Sequence, residues 1–243
     1  MCTAPAPLVP STTELTCSLM QHCGACVAAG RLLPCDVRCD NEISAAAAAV
    51  GARGKGRLDA LLHAVAFAPP EALRGGSLMN TSRAAWATTL DVSAYSLIAL
   101  ARGLHPLFQA AASNTRGGDG RVHFGPSITT LSYIGARKAV PEYLVMGPAK
   151  AALESTARGL AAELGPEGIR VNVISAGPVR TVAAKSIPGF SAMARSVEEH
   201  APLRRNISAA DVAGLATFLA SDAASAITGQ TMHVDAGHSV VWV

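Results

Sequence analysis

Residues 143–181 read YLVMGPAKAALESTARGLAAELGPEGIRVNVISAGPVRT. Residues 143–164 carry Ala, Leu and Glu at helical spacing, and Gly165-Pro166 is a normal helix stop. Residues 169–175, IRVNVIS, then alternate with β-branched side chains and read as a strand. The strand exits into Gly177-Pro178. A helix that returns into a buried strand in this way is half of a parallel-sheet repeat.

Working outward, the same alternation recurs. Residues 31–37, RLLPCDV, read as a short strand ending near an Asp. Residues 41–50, NEISAAAAAV, read as an Ala-rich helix closed by the Gly51–Gly56 stretch. Residues 58–67 are almost continuously apolar up to Pro69-Pro70, the pattern of a strand buried on both faces. Residues 91–112 have the period of a long helix, and SITTLS at 127–132 is another strand. Ser208 with Asp211 makes a capping box for a helix over 209–220, and 230–235 is a last strand. Strands alternating with helices predict an α/β domain on a parallel sheet, with its ligand at the carboxyl ends of the strands. The expected organisation is a Cys-rich leader over 1–30 and one domain over 31–243.

Composition narrows the function. Half of the 243 residues are hydrophobic and 15% are charged, which argues against a disordered chain. The net charge of +3 comes without a Lys/Arg block, so no nucleic-acid partner is expected. No apolar run suggests a membrane span, and the N-terminus has no basic start of a signal peptide. All six cysteines lie within the first 39 residues. Cys23 and Cys26 form a CxxC, but Cys35 and Cys39 are spaced CxxxC. The expectation is reduced cytoplasmic thiols rather than a metal site.

The chemistry gathers in two stretches. In the first, Ser132-Tyr133-Ile134-Gly135 is followed by Tyr143 and Lys150. Seven residues are two helical turns, so Tyr143 and Lys150 are expected on one helix face. An ammonium there would favour the phenolate and sharpen Tyr143 as a proton donor. Half-buried tyrosines and a solvated lysine are the plainer reading of the same spacing. In the second, Val171 to Thr181 carries a strand into Gly-Pro, which exposes backbone groups that can hold a flat amide ring.

Together, SYIGARKAVPEYLVMGPAK, GPEGIRVNVISAGPVRT, APLRR and ITGQTMHVDAG resemble the enoyl-acyl-carrier-protein reductases of bacterial type. These are a divergent branch of the short-chain dehydrogenase/reductases. Ordinary members of that superfamily have Tyr-x-x-x-Lys, whereas here Gly147 stands at that place and Lys follows Tyr143 at seven. The resemblance implies a Rossmann-like doubly wound sheet and NADH as cofactor. The implied substrate is a trans-2-enoyl thioester on acyl-carrier protein, in a cytoplasmic homotetramer packed through helices 91–112 and 143–164. It also implies roles. Tyr143, Tyr133 and Lys150 would be catalytic. Asp36, Val37, Val65, Lys150, Val179, Arg180, Thr181, Val182 and Ala183 would hold the dinucleotide. Ala68, Met146, Phe190 and Met193 would meet the acyl substrate. Another short-chain carbonyl reductase, or an inactive homologue, are the alternatives.

The sequence also departs from the family. The opening strand, Gly-rich turn and helix that hold a pyrophosphate have no counterpart in residues 1–30. The expectation is a truncated copy whose sheet lacks its first strands and leaves strand 58–66 with a bare apolar edge. Gly51, Gly54 and Gly56 follow a helix rather than a strand and read as a linker. Ala66 stands where the family usually has Gly, and few basic residues besides Lys185 and Arg195 flank Phe190 to meet an acidic carrier.

Overall fold

The computed structural model describes residues 32–73, 77–113, 125–181 and 189–242. Four parallel strands form one sheet in the order β1-β2-β3-β4: β1 (Ala60–His63), β2 (Ser127–Ser132), β3 (Arg170–Ala176) and β4 (Thr231–Val234). Their connections carry helices α1 (Asp40–Arg53), α2 (Arg83–Leu90), α3 (Ser96–Ser113), α4 (Met146–Leu164), α5 (Phe190–His200) and α6 (Ala209–Ala220). Parallel strands need such crossovers, and the sheet is covered on both faces as expected.

On one face, Leu97, Ala101, Leu104 and Phe108 of α3 meet Leu153, Ala157 and Ala161 of α4 over Ile128, Val171 and Val173. On the other, Leu219 of α6 packs with Ile174 and Ala224, flanked by Leu131 and Met232. The alternation of β3 decides this: Val171 and Val173 point to α4, while Asn172 and Ile174 point away. Asn172 is fully buried yet satisfied, since its Nδ2 donates to the Ile227 carbonyl (2.8 Å) and its Oδ1 accepts from Gln230 N–H (3.1 Å). The capping box of α6 forms as the sequence predicts, with Ser208 and Asp211 bonded reciprocally.

Several boundaries differ from the sequence reading. Residues 32–37 are irregular, not a strand. Pro34 lacks a donor, and the Asp36 N–H turns to the Glu42 carboxylate (2.7 Å) while Arg38 folds back onto Asp36. Strand 58–67 shortens to Ala60–His63 and is not buried on both faces, because Leu62 is half exposed. It is an edge of the described sheet. Helix 91–112 starts later, at Ser96, behind a π turn over Asp91–Tyr95. Ser93 in that turn clasps the loop after β1, accepting from Phe67 N–H and donating to its carbonyl, both at 2.9 Å. The stretch Arg83–Ser113 is long and apolar enough to span a membrane, but half of its most apolar window is buried in the protein. The leader over 1–30 and the loop 114–120 lie outside the described residues.

His63 ties β1 into this frame. Its Nδ1 lies 2.7 Å from Thr130 Oγ1 on β2, and its Nε2 lies 2.8 Å from Ser96 Oγ at the start of α3. Both hydroxyls also reach backbone carbonyls, Ser96 that of Val92 (2.6 Å) and Thr130 that of His63 (3.3 Å), so the imidazole closes a buried network between β1, β2 and α3. Burial, with the nearby Lys150 charge, pushes the imidazole pKa down to about 4. The unfolded chain therefore binds one more proton between pH 6.5 and 4, and stability falls as pH drops through that window. The full effect is about 3 kcal/mol. Thermal melts should lose their midpoint across this range, and His63→Gln, which cannot titrate, should flatten the loss.

Candidate active site

A cavity of about 360 Å³ opens at the carboxyl ends of β1, β2 and β3. This is where a parallel sheet places its ligands. Leu62 comes from β1, Leu131 and Ser132 from β2, and Ala176 to Val179 with Thr181 from the exit of β3. Phe190 and Met193 of α5 and the first turns of α6 close it with apolar side chains.

Tyr133, Tyr143 and Lys150 all line this cavity. Their placement differs from the helical reading. Tyr143 lies in a turn before α4, not on it, with Glu142 and Leu144 on either side at positive φ. The helix begins at Met146, so Pro148 falls in its first turn, where a missing N–H costs nothing. Tyr143 is 6% exposed and wedged among Ala68, Ala72, Ala85 and Met146. Its ring meets that of Tyr133 edge-on, with centroids 4.8 Å apart. The Tyr133 hydroxyl donates to Met193 Sδ at 3.7 Å, which links the β2 exit to α5.

Lys150 is 6% exposed, and its Nζ donates to the Leu131 carbonyl at 2.7 Å. Burial pushes its pKa down to about 8, against the pull of Glu154, which raises it. Burial acts oppositely on the phenols and pushes both Tyr143 and Tyr133 up, Tyr143 further because it is more deeply buried, with a smaller contribution from Tyr133 beside it. The phenol of Tyr143 is therefore held in its neutral, donor form. Tyr143 stays a neutral hydroxyl, and the Lys150 charge bears on His63 instead.

The remaining sequence candidates divide. Val179, Thr181, Phe190 and Met193 line the cavity. Ala68 and Met146 do not; they are buried in the cluster behind Tyr143. Val65 lies in the loop after β1, outside the lining, and Arg180 is exposed near Glu198, at 3.9 Å. Asp36 and Val37 are also outside it, with Asp36 held below its usual carboxyl pKa by the Arg38 guanidinium. Val182 and Ala183 lie outside the described residues. So do Cys2, Cys17, Cys23 and Cys26, while Cys35 and Cys39 are half-buried free thiols. Sequence reasoning missed Leu62, Leu131, Ser132 and the α6 residues Ala209, Val212 and Ala213. It also missed Glu154, although the i, i+4 spacing from Lys150 was there to be read.

Comparison with known proteins places the chain in a family. A family model described as enoyl-(acyl carrier protein) reductase matches residues 11–239. The enoyl-acyl-carrier-protein reductase (NADH) FabI of Nostoc sp. is 47% identical over 210 residues, covering 86% of this chain and 75% of the relative. The Bacillus cereus enoyl-acyl carrier protein reductase, solved with NADP+ and an indole naphthyridinone, superposes with a TM-score of 0.77. It shares 39% identity, with coverage of 87% of this chain and 76% of that one. The Anaplasma phagocytophilum reductase solved with NAD gives a TM-score of 0.74 at 39% identity, over 87% of this chain and 72% of that one.

One glycine is tied to the site by contact. A Cβ on Gly135 would stand 2.4 Å from Tyr143 Cδ1 and 2.7 Å from Cε1. The ring is buried in a cluster with Ala68, Ala72, Ala85 and Met146. Gly135→Ala should therefore cost about 1–3 kcal/mol as overpacking, read as a lower urea midpoint at unchanged slope. The near-UV tyrosine signal should change with it.

Proposed function

The chain belongs to the enoyl-acyl-carrier-protein reductase family, and on that premise we propose that it reduces trans-2-enoyl thioesters carried on acyl-carrier protein, with NADH, in fatty-acid synthesis. The observation that carries the reading is the convergence of Tyr133, Tyr143, Lys150 and the Gly177–Thr181 exit on one apolar cavity.

The donor set suits the nicotinamide-ribose end of a dinucleotide. An ammonium has three protons, and the Leu131 carbonyl takes one of those on Lys150. The others are available to vicinal hydroxyls. Val179 and Thr181 would take the carboxamide side, beside the backbone of Gly177 and Pro178. NADH, when bound, supplies the hydride that goes to the β-carbon of the enoyl group.

The side chains do the rest. Tyr143, protonated at neutral pH, would donate to the thioester carbonyl oxygen, where negative charge collects. A fixed donor at such an oxygen is worth roughly 3–4 kcal/mol. Tyr133 braces the Tyr143 ring. Lys150 adds positive charge nearby. Phe190 and Met193 would pack the acyl chain and keep water out. The α-carbon is protonated last.

The same reading extends to assembly and place. We propose one functional domain over 31–243 and a homotetramer through the outward faces of α3 and α4, supported by the half-exposed apolar window of Arg83–Ser113. A cytoplasmic setting suits a chain whose Cys35 and Cys39 are free thiols.

The test is loss of NADH absorbance on adding a short trans-2-enoyl thioester. Tyr143→Phe should lower kcat by about 10²–10³. Turnover of a keto-thioester in place of the enoyl compound would make the protein a carbonyl reductase instead, and NADH binding without any turnover would leave it a non-catalytic homologue. A further expectation concerns pH. Because Lys150 is charged below about 8, dinucleotide affinity should weaken as pH rises through that value. Titration of NADH fluorescence from pH 6.5 to 9.5 reads it.

A further inference from the structure

The mechanism uses Lys150 but leaves a second buried ionisable group unassigned. Glu154 sits one helical turn beyond Lys150 on α4, on the same face, and is 4% exposed. Its Oε1 accepts from Ser132 Oγ at 2.8 Å, and its Oε2 accepts from Arg137 Nε at 3.4 Å. Two consecutive residues at the end of β2 are thus gripped by two residues one turn apart on α4. The Leu131 carbonyl is held by Lys150, and the Ser132 hydroxyl by Glu154. Tyr133 follows directly in the chain and lines the cavity.

We propose that Glu154 is a positioning residue, whose buried carboxylate is anchored by Ser132 and Arg137 and acts through Lys150, keeping its ammonium and the exit of β2 in working place. A carboxylate this deep is costly unless hydrogen bonds and a cation compensate it. Ser132 and Arg137 are the compensation. In return, the carboxylate favours the charged form of a lysine that burial drives towards neutrality.

Other groups around Lys150 do not take this part. His63 reaches it from β1, but the imidazole is neutral above about pH 4. Tyr133 and Tyr143 share its cavity as neutral phenols. Among the elements packed on α4, Asp91 in the π turn faces Arg38, Asp36 and Asp40. Arg170 on β3 donates to the Leu219 carbonyl (2.8 Å), and His105 of α3 pairs with Glu167 (2.8 Å) beyond the far end of the helix.

The inference rests on the active-site reading of Lys150, so its test does not depend on turnover. The full-length protein is labelled at its amines with trace acetic anhydride at pH values from 6 to 10.5, and acetylation of Lys150 is read by peptide mass spectrometry. Glu154→Gln keeps the shape and an acceptor for Ser132 but removes the charge. It should lower the Lys150 titration midpoint by about one pH unit. Arg137→Gln, at an exposed side chain, removes a competing cation from the same carboxylate and should move the midpoint up by less. A carboxylate that only holds Ser132 and Arg137, with no electrostatic hold on Lys150, predicts no fall of the midpoint in Glu154→Gln. Unchanged midpoints, or shifts of the same sign, overturn the proposal. If Glu154→Gln does not fold, the absence of a rise in Arg137→Gln overturns it alone. A wild-type protein inactive on enoyl thioesters would defeat the functional reading while leaving the midpoint shifts to be judged separately.

Discussion

An ammonium inside a protein needs an oxygen within reach, and at Lys150 that oxygen is the backbone carbonyl of Leu131. The bond is available because β1 is short. Its pairing with β2 ends at His63 opposite Thr130, whereas β2 and β3 stay in register to Ser132 and Ser175. Leu131 and Ser132 therefore run past their neighbour on one side. Their polar groups turn to α4, and the space beyond β1 becomes part of the cavity. The strand exit and the cavity thus meet where the β1–β2 ladder stops and the β2–β3 ladder continues.

The tyrosines depend on the same frame. Tyr133 leaves β2 directly after the two gripped residues, and its ring braces Tyr143 edge-on. Tyr143 is held from behind by Ala68, Ala72, Ala85 and Met146, all small or flexible side chains that fit around one large ring. Gly135 completes the socket by having no side chain. Residues expected to touch substrate, such as Ala68 and Met146, thus serve the site from the rear. They pack in the buried cluster that holds the Tyr143 ring.

Much of this was legible in the sequence, for identifiable reasons. Strand 127–132 and helix 209–220 match to the residue, because β-branched runs and a Ser–Asp capping box are local signals. Tyr133, Tyr143 and Lys150 were found together because few tyrosines compete for attention in this chain. The errors are those of tertiary override. RLLPCDV has strand composition, but Asp36, Arg38 and Glu42 satisfy its backbone and charges locally. The helical argument for Tyr143 and Lys150 gave the right cavity by the wrong geometry, since positive φ at Glu142 and Leu144 keeps Tyr143 off the helix. The i, i+4 spacing places Glu154 beside Lys150, but the bonds that bury Glu154 and His63 join partners 22 and 67 residues away and leave no local signal.

Burial in one apolar cavity acts on Tyr143 and Lys150 in the same sense, towards the neutral form of each. For a phenol asked to donate a hydrogen bond, neutrality is the useful state, and nothing in the surroundings opposes it. For a lysine asked to hold polar groups by charge, neutrality is the wrong state, and a counter-influence is needed. Only Lys150 has a carboxylate one turn along its own helix. The two groups therefore need different neighbours to perform complementary tasks, and the sequence supplies them at i+4 for the lysine and as a second aromatic ring for the tyrosine.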